Sequence, residues 1–80
     1  PLPDPLPQGG EGVRAALAEA ERVIANVTPT PRLDAELLMA HALDVSRDAL
    51  LLRLVDAPAP PTFAALIMRR LAHEPVAYIT

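Results

Sequence analysis

The chain contains no cysteine and no lysine. The first absence removes any disulfide framework and any thiolate metal site. The second leaves arginine as the sole basic side chain, and with 7 arginines against 10 acids the formal charge is −3 and the pI near 5.1. A basic face able to displace counterions from phosphates is therefore missing, which argues against direct nucleic-acid binding. Arginine-only usage beside abundant alanine and proline reads as coding bias rather than chemistry. Long apolar runs are absent too: His41 and Arg53 interrupt them well short of the roughly 18 residues that a membrane span needs. Nor does the N-terminus show a charged-then-apolar signal pattern. The lack of a span and of a signal pattern points to a soluble cytoplasmic protein, a compartment that the absence of cysteine does not by itself fix.

What is present is a helical texture punctuated by proline and glycine. Eighty residues make one small domain with a single core and modest stability. Pro1, Pro3, Pro5 and Pro7, followed by Gly9, Gly10 and Gly12, set residues 1–10 apart as a flexible leader. The glycine run is no phosphate loop, because no strand precedes it and no Gly-Lys-Ser/Thr closes it. Residues 11–73 read as a helical domain. Val13, Ala16, Leu17, Ala20, Ile24 and Val27 form one apolar stripe and predict a first helix over 11–27. Thr30 and Pro31 cap and open a second helix ending near Leu43, with Leu33, Leu37, Leu38, Ala40 and His41 as its expected core side. Ser46 caps a third, which buries Leu50, Leu51, Leu54 and Val55. A poorly capped fourth runs from about Pro61 to Ala72, anchored by Phe63, Leu66, Ile67 and Leu71. The expected fold is all-α, a small bundle of four or at most five short helices. Residues 74–80 change character: Val76, Tyr78 and Ile79 suggest a strand that begins an interdomain linker and whose pairing partner lies beyond Thr80.

Candidate chemistry is sparse. Asp34 and His41 share one side of the second helix, but two turns place them about 10 Å apart, too far to ligate one metal ion directly. A buried His41 hydrogen-bonded to backbone or carboxylate is the better expectation. His73 sits near a helix end, where it favours the helix dipole rather than acting as a base. Thr28, Thr30, Ser46, Thr62 and Thr80 have no neighbouring histidine and fit caps and turns. Arg32 and Glu36, four positions apart, read as a weak surface ion pair. Arg69 and Arg70 end the fourth helix; with Glu74 and Tyr78 they are the candidates for a partner or domain interface. The run from Ala40 to Arg47 has the cadence of a helix-turn-helix corner, yet Leu50, Leu51, Leu52 and Leu54 occupy the helix that would have to read bases.

Two blocks carry a family resemblance: PRLDAELLMAHALDVSRDALL (Pro31 to Leu51) and RRLAHEPVAYIT (Arg69 to Thr80). In this order and at this spacing they resemble the N-terminal domain of the HemK/PrmC release-factor glutamine methyltransferases. The resemblance implies a non-catalytic accessory domain. Its parent enzyme would use S-adenosylmethionine to methylate the glutamine of the Gly-Gly-Gln loop of peptide chain release factors. Cofactor loop and Asn-Pro-Pro-Tyr motif belong to the family's C-terminal domain and are not present here, so no catalytic, cofactor or metal residue is carried onto this chain. The implied partners are release factors and the parent's own C-terminal methyltransferase domain. Departures bear on local geometry: Asp44 and His73 stand where the family often has glycine, and Pro60 and Pro61 sit where it usually has a capped start to the fourth helix. The alternative reading is a free-standing helical adaptor that binds a partner protein through an apolar groove.

Overall fold

A computed structural model describes residues 12–80; the leader, residues 1–10, lies outside them. Five helices follow in order: α1 Val13–Val23, α2 Pro31–Leu43, α3 Arg47–Arg53, α4 Thr62–Leu71 and α5 Val76–Ile79. Among the described residues the only strand-like pairing is an isolated antiparallel bridge between Gly12 and Pro58.

The first helix is shorter than its apolar stripe suggests. It starts at Val13, where the loop after α3 caps it: Val13 N donates to Ala57 O at 2.8 Å and Arg14 N to Val55 O at 3.0 Å. Backbone carbonyls thus satisfy amide groups that a capping side chain would otherwise serve. It ends at Val23, and residues 24–27 continue as turns, with Val27 N donating to Ile24 O at 3.0 Å. Most of the stripe is buried as its spacing requires: Val13, Ala16, Leu17, Ala20 and Ile24 all lie in the core, and Val27 packs on it half-buried.

α2 is the central shaft, packed against each of the other four helices. A helix covered on several sides has no single apolar stripe, and its burial departs from the expected one. Ala35, Leu38, Met39 and Ala40 are buried together with Asp34 and Glu36, while Leu33 is 41% exposed and Leu37 only half-buried. His41 is exposed, which overturns its placement as a core histidine. The helix stops at Asp44, whose left-handed backbone (φ 58°) lets Asp44 N reach His41 O at 3.1 Å and Val45 N reach Ala40 O at 3.0 Å. This paired closure is the Schellman arrangement.

Ser46 caps α3 as expected, its hydroxyl accepting from Ala49 N at 3.1 Å. Leu50 seals the core from there, but Leu52 points outward and is 81% exposed. α4 has no side-chain cap and buries Phe63 and Ile67. It closes like α2, with His73 left-handed (φ 69°), His73 N on Arg70 O at 2.9 Å and Glu74 N on Arg69 O at 3.2 Å.

The expected strand at the C-terminal end is instead the short helix α5. Helical spacing turns Val76 and Ile79 to the same side, where both pack on the core cluster against α2 and α4. The turn also meets its own backbone needs, with Tyr78 N on Pro75 O at 2.9 Å and Thr80 N on Val76 O at 2.9 Å. No pairing strand is required, and the inference that one must lie beyond Thr80 loses its premise.

Candidate functional site

The four candidate interface residues gather where α4 turns into α5, but they do different things. Arg69 reaches over the turn: its Nε and Nη2 both donate to Glu74 Oε1, at 3.0 and 2.7 Å. This pair is open to solvent, and the Glu74 carboxylate holds the Arg69 guanidinium above its ordinary pKa. Tyr78 makes no inward packing and is 79% exposed.

Arg70 points the other way, into the bundle. Its Nε donates to Asp34 Oδ2 at 3.1 Å, its Nη2 to the carbonyl of Val27 at 3.3 Å, and its side chain is only 13% exposed. Asp34 is held on its other oxygen by the Thr30 hydroxyl, which donates at 3.0 Å. Thr28 Oγ1 accepts from Thr30 N at 3.1 Å, so the residues before α2 are braced from both ends. Thr30 therefore precedes α2 without capping its amides; the hydroxyl serves Asp34 instead. One arginine thus ties together the end of α4, the start of α2 and the turn after α1.

A second arginine cluster was missed by reading Arg32 and Glu36 as a surface pair. Glu36 has a side chain only 7% exposed and accepts from Arg32 Nε at 2.9 Å and from Arg47 Nε at 2.7 Å. Burial alone would raise its pKa, but the two guanidinium hydrogen bonds and their charge outweigh it and hold the carboxyl below its ordinary value. The signal for this site lay in Arg47, which opens α3 eleven positions after Glu36, a separation that no helix periodicity flags.

These clusters hold elements together. Among the described residues no buried side-chain nitrogen or oxygen lacks a partner. No set of three His, Asp or Glu side chains converges there. His41 and His73 are both exposed, and neither is hydrogen-bonded to a hydroxyl. No helix among the described residues is long and apolar enough to cross a membrane.

The protein-family model described as the PrmC N-terminal domain matches residues 15–80. A release factor glutamine methyltransferase of Burkholderia pseudomallei (strain K96243) is 45% identical over 56 residues, which make up 66% of this chain and 20% of that protein. The matched segment thus spans about a fifth of the relative's length. No solved structure matches the chain.

Proposed function

Because the chain belongs to the PrmC N-terminal domain family, we propose that it is the helical accessory domain of a protein methyltransferase whose substrate is the Gly-Gly-Gln glutamine of peptide chain release factors. The observation that carries this reading is the family match over residues 15–80, supported by the relative named for release factor glutamine methylation. S-adenosylmethionine would donate the methyl group to the glutamine side-chain amide. The described residues do not fit that cofactor: they hold a single glycine, Gly12, whereas the strand-to-helix turn that cradles such a cofactor is glycine-rich. No step of the reaction is assigned to this domain.

Its contribution would be orientation. Methylating one side chain of a large folded protein requires that the loop bearing it be held in the reacting geometry, and contacts remote from the reacting atom can supply that. Arg69, Glu74 and Tyr78 occupy an exposed shoulder suited to such contacts, with Arg70 bracing the shoulder from beneath. The test is to delete residues 1–73 from the longer enzyme and compare two substrates. Methylation of intact release factor should fall much further than that of a short Gly-Gly-Gln peptide, which cannot reach this domain. Equal loss on both substrates would reduce the domain to a stabiliser and sink the recognition role.

A further inference from the structure

Between Asp56 and Arg69 the sequence carries no charged residue, and α4 lies in that stretch up to Met68, its arginines coming only in the last turn. Its inward side is Phe63, Ile67 and the half-buried Leu66 and Leu71. On the other side Pro61, Ala64, Ala65, Met68 and Ala72 recur at helical spacing and are all exposed; Met68 is 64% exposed. A solvent-facing helix surface ordinarily carries charge. On α1 the outward positions do so, with Arg14, Glu19 and Arg22 all exposed. The outer face of α4 is apolar, made of small side chains around one methionine.

We propose that this face is the seat of the catalytic half of the parent enzyme, which packs on α4 through an apolar surface of its own. The inference rests on the accessory-domain reading and adds to it the face by which the two parts meet. Two observations favour the attached polypeptide over a transient partner. Permanent interfaces are more apolar than transient ones and poor in charge at their core, as this face is; alanines also let another backbone approach closely around the adaptable methionine. The matched segment spans about a fifth of the relative's length, and α4 is joined through α5 directly to Thr80, so further chain would enter beside it.

The two methionines supply the experiment. Met39 has no exposed surface and reports folding, whereas Met68 reports the face. Hydroxyl-radical footprinting should oxidise Met68 readily in the 80-residue chain and at least fivefold more slowly in the longer enzyme, with Met39 slow in both. Ala65→Arg should restore Met68 oxidation in the longer enzyme while Met39 stays slow. Equal Met68 reactivity in the two chains would overturn the proposal. So would protection that grows with concentration of the 80-residue chain, which would assign the face to a second copy, or protection that requires added release factor. A methylation assay on the same longer enzyme separates the two readings: lack of activity with Met68 protected would fault the assigned reaction and leave the packing intact.

Discussion

Arg70 and Asp34, 36 positions apart in sequence, form the one ion pair among the described residues in which both side chains are largely buried. A pair removed from water is costly when one member is lost, because the survivor keeps its desolvation without its partner. Arg70→Ala would leave Asp34 with the Thr30 hydroxyl alone and Val27 O without its donor. The expected loss is about 2 kcal/mol in urea unfolding. Arg69→Ala removes only a solvent-exposed pair and should leave the unfolding midpoint almost unchanged. Equal sensitivity at the two neighbours would contradict the inward role of Arg70.

Acid should weaken the fold through Glu36. Its folded pKa lies below the ordinary 4.5 because Arg32 and Arg47 stabilise the carboxylate against burial. A group depressed on folding contributes stability that is fully present above the unfolded value and is lost as pH falls through the folded one. Stability should therefore be flat from neutrality down to about 4.5 as far as this group is concerned, and decline below that. Glu36→Gln would remove this contribution to the acid slope while lowering stability at pH 7. The check is a series of urea melts from pH 7 to 3 on both proteins.

Which parts of this architecture could be read in the sequence depends on how many neighbours each element has. α1 lies on one side of the bundle, so its spacing of Val13, Leu17, Ala20 and Ile24 predicted its buried face well. α2 has four neighbours, and periodicity misplaced Leu33 and His41 while missing Met39, Asp34 and Glu36. Val76, Tyr78 and Ile79 carry β-favouring side chains, but such preferences are weak beside the gain from seating Val76 and Ile79 together on the core. The family blocks were legible because they extend through both the α2–α3 corner and the α4–α5 turn. The inward turn of Arg70 was not, since its partners are set by tertiary contact.

Asp44 and His73, the two positions where the resemblance led one to expect glycine, are among the described residues the two non-glycine ones with positive φ, at 58° and 69°. Left-handed backbone costs an ordinary L residue roughly 1–2 kcal/mol, and glycine avoids that cost but loses more entropy on folding. His73→Gly should therefore stabilise by up to about 1 kcal/mol, and Asp44→Gly by less, because aspartate tolerates this conformation better. His73→Val should destabilise, since a β-branched side chain there is strained. Thermal melts of the three variants provide the measurement.

The fate of the last residues separates the helical end from the strand that local sequence suggests. A four-residue helix has almost no stability of its own, because nucleation consumes what few hydrogen bonds it makes. α5 must then be held by its docking, and the buried Ile79 is the side chain that docks it. Amide exchange on the 80-residue chain should show protection at Tyr78 and Thr80, whose amides donate to Pro75 O and Val76 O. Ile79→Ala should abolish that protection and cost about 2 kcal/mol of global stability, the low end for a core truncation because a terminal segment can relax around the cavity. Tyr78→Ala should do neither, its ring being exposed. If instead the wild-type amides exchanged at the rate of an unfolded peptide, α5 would be undocked in solution, and the exit of the chain from the bundle would be free rather than fixed.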